Sequence, residues 1–369
     1  MKRVLISGGS GFIGHHIIEH ILKHTDWEIV SMDRLSVSGN YNRLSDLDCW
    51  GEEYGRVSFV HHDLRSAVNA QVASRIGEID YILHLAASTH VDRSIEDPMS
   101  FVLDNVVATT NMLEFARAQE HLKSFLYFST DEVFGPAPEG TSYKEWDRYN
   151  SGNPYAAAKA GGEEMALAFS NTYNIPLIIT HTMNVFGERQ HPEKYIPMTI
   201  KKILNGEKII IHANKEKTKA GSRFWIHGRN VAAALTYILE MGEKEPADLE
   251  KVVGDIESLG FDTAYFGPEA NGAGKSFKFN IVGEQEFDNL EMAQFIYDTV
   301  MDITKPDEPR PAIVPHEMVD FHSSRPGHDL RYALDGAKLK ALGWEPPVGF
   351  KDSLRRVVEW TIKNPKWLD

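Results

Sequence analysis

Seven residues near the start of the chain restrict its fold more than any others. Gly8-Gly9-Ser10-Gly11-Phe12-Ile13-Gly14 forms a G-x-x-G-x-x-G pattern directly after an apolar run at residues 4–7. Apolar residues at Ile17, Ile18, Ile21 and Leu22 then predict a helix over 15–24. Glycine permits a tight turn and a close approach of backbone to a pyrophosphate. A helix start adds free N–H groups and a positive dipole end. A glycine cluster by itself also fits a plain turn, and it is Asp33 that sharpens the reading. Asp33 closes the next β-rich run, 19 residues after Gly14, where an acid accepts hydrogen bonds from the adenosine ribose. An acid there repels a 2′-phosphate, which favours NAD over NADP, although Arg34 follows at once and weakens that preference. Asp63-Leu64, after the third β-rich run, is placed to meet adenine, while an Asp in that position also serves as a helix N-cap.

Further strands are predicted over 28–33, 57–61, 81–86, 124–129 and 177–182, most of them separated by helical stretches. Such alternation with short connections predicts an α/β fold built on a doubly wound parallel sheet. After about Gly187 the pattern loosens, and helices over 196–204 and 230–241 lack a regular strand partner. Residues 1–187 are therefore read as the dinucleotide-binding domain and 188–369 mainly as a smaller α/β substrate-binding lobe, from which the chain can cross back. Residues 242–276, acidic at first and glycine-rich at the end, read as an inserted excursion. A terminal helix over 351–363 aligns Leu354, Val357, Val358, Thr361 and Ile362 on one face. Apolar residues Met112, Leu113, Phe115 and Ala116 on one helix, and Met165, Ala168 and Phe169 on another, predict a homodimer through a four-helix contact.

Composition excludes several classes. The net charge of −14 argues against a nucleic-acid partner, which calls for a basic face. No apolar run approaches the roughly 20 residues of a membrane span, and the first residues enter the strand pattern at once, which speaks against a signal peptide. Cys49 is the only cysteine of the 369 residues. No disulfide within the chain is possible, no metal site is expected, and a cytoplasmic setting fits.

The chemistry is concentrated around residue 130. Tyr155 and Lys159 form Y-x-x-x-K within a helical stretch over 154–170, four residues apart and so on one helix face. An ammonium beside a phenol lowers its pKa from about 10, and the phenolate can take a proton from a sugar hydroxyl as hydride leaves the same carbon. Thr130 lies 25 residues before Tyr155, at the carboxyl end of a strand where doubly wound sheets bind ligands. Asp131 and Glu132 follow. Two adjacent carboxyls exceed what hydride transfer alone requires, but they suit an elimination of water, which needs an acid and a base. Capping of the next turn is the plain alternative.

Together these residues resemble the extended short-chain dehydrogenase/reductase family, and within it the nucleotide-sugar dehydratases. The resemblance runs nearly end to end. It includes GGSGFIG at 8–14, HLAASTHVDRS at 84–94, STDEVFG at 129–135, NPYAAAKA at 153–160, NVFG at 184–187, HPEKYIP at 191–197, FNIVG at 279–283 and SRPGHDLRYALD at 324–335. It implies a Rossmann fold and a nucleoside-diphosphate-hexose 4,6-dehydratase. A dTDP-linked glucose is the favoured substrate, UDP-glucose or UDP-N-acetylglucosamine the alternative, and an epimerase the weaker rival because of Asp131. It implies that Tyr155 takes the 4-hydroxyl proton, Lys159 tunes Tyr155 and holds the nicotinamide ribose, and Thr130 binds near that hydroxyl. Glu132 would remove the C5 proton and Asp131 would protonate the leaving 6-hydroxyl. NAD contacts are implied for Gly8, Gly11, Phe12, Ile13, Gly14, Asp33, Asp63, Leu64, Leu85, Ala86 and Ala87, besides Tyr155 and Lys159. Substrate contacts are implied for His90, Asn184, Glu193, Lys194, Arg223, Asn280 and Arg325. The chain departs from the family at Arg223-Phe224-Trp225-Ile226-His227, where R-D-W is usual, at Phe134 in place of a frequent tyrosine, and in the 242–276 insertion. The first and last lie in the substrate lobe and leave base and sugar the least determined.

Overall fold

Strand β1 (Arg3–Ser7) lies inside the large sheet and pairs in parallel on both sides. The computed structural model describes residues 1–241, 276–321 and 330–369. On one side of β1 lie β2 (Glu28–Asp33) and β3 (Val57–His61). On the other lie β4 (Tyr81–His84), β5 (Ser124–Thr130) and β6 (Leu177–Thr182). With β10 (Ser276–Ile281) at its edge, the sheet has seven strands in the order β10-β6-β5-β4-β1-β2-β3, and each pairing in it is parallel. The chain leaves β1 in one direction for β2 and β3 and returns to its other side for β4. Crevices at such a reversal, beyond the carboxyl ends of the strands, are where open α/β sheets bind ligands. The register brings those ends level: Ser7 pairs with Met32 and with His84, Asp33 with His61, and Thr130 with Thr182.

Six of these strands coincide with the predicted ones to within two residues at either end. The seventh, β10 (Ser276–Ile281), comes from far along the chain and adds to β6 with Phe279 opposite Thr180. It follows the predicted excursion, whose residues 242–275 lie outside the described ones. The remaining strands are short. β7 (Asn184–Phe186), β9 (Ser222–His227) and β11 (Glu286–Asp288) form one sheet, and β8 (Ile209–Ala213) pairs with β12 (His316–Asp320).

Both faces of the large sheet are covered, and continuous burial explains why its strands read as apolar runs rather than alternating ones. On one face the Phe12–His24 helix packs with the Gly228–Met241 helix, burying Ile17, Ile18, Ile21, Val231, Leu235 and Ile238. The second helix thus covers the sheet, although no strand pattern accompanies it in the sequence. On the other face Met112, Leu113, Phe115, Ala116 and Phe169 pack on Leu5, Ile82, Tyr127 and Ile179. The apolar residues assigned to a dimer face are therefore mostly core: a fully buried Leu or Phe contributes roughly 1.5–3 kcal/mol, and the sheet claims it first. Of that set Ala168 is exposed. A third cluster joins Phe186, Trp225, Phe287 and Met292 to Leu354, Val357 and Val358 of the terminal helix, against which Ile362 packs part-buried.

Candidate active site

The glycine turn is sterically enforced. Gly8 has φ +75° and its N–H donates to the carbonyl of Met32 at 2.7 Å. A Cβ on Gly14 would lie 2.3 Å from the carbonyl oxygen of Gly8, and one on Gly9 2.3 Å from Ser31 Oγ. Only glycine lets the Phe12–His24 helix start this close to β1. That helix has no side-chain cap at Gly11 and no acid in its first turn, so its leading N–H groups keep their affinity for an anion. Asp33 stands opposite, accepting hydrogen bonds from the N–H groups of Ser10 (3.1 Å) and Leu35 (2.8 Å). Burial pushes its carboxyl up, against those two hydrogen bonds and the charges of Arg34 and Arg43. Gly8, Gly11, Phe12, Ile13, Gly14, Asp33, Asp63, Leu64, Leu85, Ala86 and Ala87 all line one cleft of about 860 Å³. A side-chain-free cradle, an uncapped helix start and an acid at the ribose position fit a dinucleotide.

The same cleft continues to the end of β5, where Thr130, Asp131, Glu132, Tyr155 and Lys159 line it together. Thr130 caps the short turn Asp131–Phe134. Its hydroxyl donates to Asp131 Oδ1 at 2.9 Å and accepts from the Glu132 N–H at 3.4 Å. The two carboxyls diverge from there. Asp131 is buried, its Oδ2 has no hydrogen-bond partner, and burial together with the neighbouring Glu132 charge pushes it up to about 7. Glu132 is only half-buried, and its Oε2 accepts from Asn153 Nδ2 at 3.0 Å. Phe134 is fully buried against Tyr143, Tyr149 and His181, an all-ring environment that asks for no hydroxyl.

Tyr155 and Lys159 share one face of the Pro154–Tyr173 helix, which Asn153 caps through the Ala156 N–H and Pro154 begins. Lys159, expected to tune the phenol, makes its hydrogen bond elsewhere. Lys159 Nζ donates to the carbonyl of Phe128 at 2.6 Å and lies 4.2 Å from the centre of the Tyr127 ring. Burial lowers Lys159 to about 7, while burial and then the Glu132 charge raise Tyr155, opposed by its hydrogen bond with Thr130. In this geometry the protonated phenol is the favoured form.

At the far end His90, Asn184, Glu193, Lys194 and Arg223 line the cleft. Glu193 accepts from Arg93 Nη2 at 3.0 Å and stands 3.3 Å from His90 Nε2. Arg223 donates to the carbonyls of Ser222 and Leu330 and lies 4.7 Å from the centre of the Tyr332 ring. Asn280 is a correction. It is fully buried away from the cleft, its Nδ2 donating to the carbonyls of Tyr143 and Asp335, each at 3.0 Å. Its amide ties the loops of Tyr143 and Asp335 together at the end of the sheet. Arg325 lies outside the described residues. The sequence reading missed Asn153, which holds Glu132 and sits within the quoted NPYAAAKA motif. It also missed Ser94, whose Oγ accepts from the Tyr155 N–H at 3.1 Å, and Asp104, which lines the cleft beside Arg34 and Asp63.

A doubly wound sheet with a glycine cradle at its switch point and a Tyr–Lys pair at the neighbouring strand end defines a dinucleotide-dependent enzyme of the Rossmann type. The chain belongs to the NAD dependent epimerase/dehydratase family, whose model matches residues 4–254. A relative called dTDP-glucose 4,6-dehydratase, from Salmonella typhimurium, is 31% identical and aligns over 100% of this chain and 94% of its own length. The structure of DesIV, a dTDP-glucose 4,6-dehydratase from Streptomyces venezuelae solved with NAD and TYD bound, superposes with a TM-score of 0.77 at 29% identity, covering 100% of this chain and 99% of that one. A UDP-N-acetylglucosamine 4-epimerase from Methanobrevibacter ruminantium shares the fold, with a TM-score of 0.75 at 23% identity over 98% of this chain and 99% of its own.

Proposed function

We propose that the protein is a nucleoside-diphosphate-hexose 4,6-dehydratase, with dTDP-glucose the favoured substrate and a UDP-linked hexose the alternative. The observation that carries this reading is Asp131, a buried carboxyl pushed up to about 7 and set beside the half-buried Glu132. Loss of water from C5 and C6 needs a base for the C5 proton and an acid for the departing hydroxyl. Two carboxyls in unlike environments supply both near neutral pH. An epimerase needs no acid at C6 and leaves Asp131 without a task. The likeness to named 4,6-dehydratases supports the substrate class.

In this reading Tyr155 takes the proton of the 4-hydroxyl as a phenolate, a form that the positive charge of bound NAD⁺ would favour against burial and the Glu132 charge, with its oxygen held by Thr130. Lys159 orients the nicotinamide ribose. Glu132 removes the C5 proton and Asp131 protonates the leaving 6-hydroxyl. Bound NAD would supply the acceptor for the C4 hydride and return it to C6; Glu132 gives its proton back to C5 as that hydride arrives, and the proton taken by Tyr155 replaces, through solvent, the one Asp131 gave up, so that one water is lost overall and the cofactor ends each turnover as it began. The glycine cradle, Asp33, Asp63, Leu64 and residues 85–87 hold it. His90, Asn184, Glu193, Lys194 and Arg223 hold sugar and diphosphate, joined by Arg325 on the strength of its sequence motif. Residues 1–187 then form the cofactor domain and 188–369 mainly the substrate lobe.

No helix among the described residues is long and apolar enough to cross a membrane. A cytoplasmic setting is proposed from the lone Cys49, and a homodimer from the outward side of the same helical layer, where Met99 (64%), Val102 (41%) and Ala168 are exposed. Sedimentation at the monomer mass would remove the dimer. The activity is tested by incubating the purified protein with dTDP-, UDP- and GDP-hexoses. A 4-keto product lighter than substrate by one water is expected from dTDP-glucose, and a product of unchanged mass would overturn the assignment.

A further inference from the structure

This inference rests on the NAD reading of the cleft. An arginine immediately after the ribose-binding acid is well placed to receive a 2′-phosphate, and Arg34 occupies that position after Asp33. The structure turns it elsewhere. Its Nη1 and Nη2 donate to Asp104 Oδ1 and Oδ2, each at 2.8 Å, a two-pronged pairing. Nη1 also reaches the two carboxylate oxygens of Asp63 at 3.3 and 3.4 Å.

Asp104 is built to hold this grip. It sits in the π-helical turn Leu103–Val107 and is 6% exposed. Arg65 Nε donates to its Oδ1 and Ser88 Oγ to its Oδ2, each at 2.6 Å. Burial alone would push the Asp104 carboxyl up, yet the hydrogen bonds from Arg65, Arg34 and Ser88 hold it below the ordinary value. Ser88 is itself anchored: its N–H donates to Asn105 Oδ1 at 2.8 Å, and Asn105 Nδ2 donates back to its carbonyl at 3.0 Å. Around the adenosine end the charges of Arg34 and Arg65 are matched by those of Asp63 and Asp104, and Asp33 faces Arg43, whose guanidinium is taken up by the carbonyls of Ser10, Ser38 and Arg189. A 2′-phosphate entering here would have to break a two-pronged pair and then sit beside an acid. A ribose hydroxyl meets neither obstacle.

We propose that Asp104 is a specificity-determining residue, which keeps the cleft selective for NAD over NADP by clamping Arg34 away from the 2′ position. Asp33 then repels the phosphate, and Asp104 disarms the arginine that follows it.

The test is calorimetric titration of NAD⁺ and NADP⁺ into the parent protein, Asp104→Asn, Arg34→Gln and the double variant. Asn keeps the shape of Asp and gives up its charge. Asp104→Asn is expected to narrow the ratio of the two Kd values by about tenfold, a factor equivalent to ~1.4 kcal/mol. The double variant should return the ratio to the parent level, since the freed arginine is then gone. Arg34→Gln alone alters no buried residue, so it serves even if Asp104→Asn does not fold, and it should leave the ratio unchanged. A ratio that ignores Asp104→Asn while NAD⁺ still binds would overturn the inference alone, as would a shift of the ratio in Arg34→Gln. A parent protein that binds neither nucleotide would overturn the cofactor site and this inference with it.

Discussion

Asp131 and Glu132 are consecutive residues whose carboxyls are held by different partners, the first accepting from the Thr130 hydroxyl at 2.9 Å and the second from Asn153 Nδ2 at 3.0 Å. The turn after β5 sends one side chain into the protein and leaves the other at the cleft surface. A single helical cap therefore places two otherwise similar acids in unlike environments, which the proposed mechanism uses as proton donor and proton acceptor.

The donor has a pH signature. Burial and the Glu132 charge raise Asp131 from 3.8 to about 7, so the protonated form dominates below that pH and is lost above it. Turnover should fall on the alkaline side with a limb near 7. Asp131→Asn should lose about 10²–10⁴-fold in kcat, the range for general acids, together with that limb. Stability carries the opposite mark. A carboxyl with a raised folded pKa favours folding most below 3.8 and progressively less up to about 7. Asn cannot ionise, so the thermal midpoint of the variant relative to the parent should climb across that window. A flat difference from acid to neutral pH would contradict the burial argument.

The glycine cradle gives a second test. A Cβ at residue 14 would lie 2.3 Å from Gly8 O and 2.8 Å from Gly9 Cα, both backbone atoms. Gly14→Ala must therefore move the helix start, at a cost of about 1–3 kcal/mol for overpacking. Urea unfolding should show that loss, and calorimetry should show much weaker NAD⁺ binding. Parent-like values in both would mean that the turn is looser than its geometry.

Much of this site is local, and that is why it could be read from the sequence. Gly8 to Gly14, Asp33, Thr130 to Glu132, Tyr155 and Lys159 each sit at a strand end or helix start whose position a short window defines. What escaped depends on distance along the chain. Arg34 and Asp104 are 70 positions apart, and no local pattern announces that they pair. Asn280 reads as a site residue inside its motif, yet Tyr143 and Asp335 claim its amide. Lys159 was expected to serve the phenol, but the carbonyl of Phe128, from a strand that precedes it by 31 positions, takes its ammonium. Strands β7 and β11 are three residues long, too short for alternation to show, and exist because tertiary pairing with β9 completes them. Met112, Leu113 and Phe115 betray an apolar face without saying whether sheet or partner covers it.

Behind the Pro154–Tyr173 helix a buried ion network ties β10 to it. Lys278 Nζ donates to Glu163 Oε1 at 2.7 Å and His181 Nε2 lies 3.1 Å from Glu163 Oε2, with both carboxylate and ammonium nearly inaccessible. Burial alone would raise Glu163, but His181 and Lys278 hold it at about 2. A carboxyl depressed in the folded state stabilises above its ordinary value of 4.5, and that contribution is lost as pH falls toward 2. Lys278→Met leaves a buried charge short of a partner and should cost about 3–5 kcal/mol. Its unfolding free energy should also decline less steeply than the parent's over that acid window. A loss below 1 kcal/mol (order of magnitude for an exposed pair) would show that the network is not sealed from solvent.

The division of labour between Tyr155 and Glu132 gives the last test. In the proposed mechanism oxidation at C4 calls on the phenol oxygen of Tyr155 and no carboxylate base, whereas elimination calls on Glu132 at C5. Glu132→Gln keeps the length of the side chain and its contact with Asn153 but removes its basicity. With dTDP-glucose this variant should form a 4-keto sugar that still carries its 6-hydroxyl, visible by mass spectrometry as the absence of water loss. In deuterated solvent it should exchange no C5 hydrogen. Tyr155→Phe removes the hydroxyl that Thr130 holds, and substrate should be recovered unchanged, neither oxidised nor dehydrated. Each substitution should cost about 10²–10⁴-fold in overall turnover, so the two are distinguished by which species accumulates and not by rate. Dehydrated product from Glu132→Gln at the parent rate would remove Glu132 from the elimination. A 4-keto sugar formed normally by Tyr155→Phe would place the first proton transfer on some other group, and with Tyr155 hydrogen-bonded to Thr130 at the strand end, Thr130 is the next residue to replace.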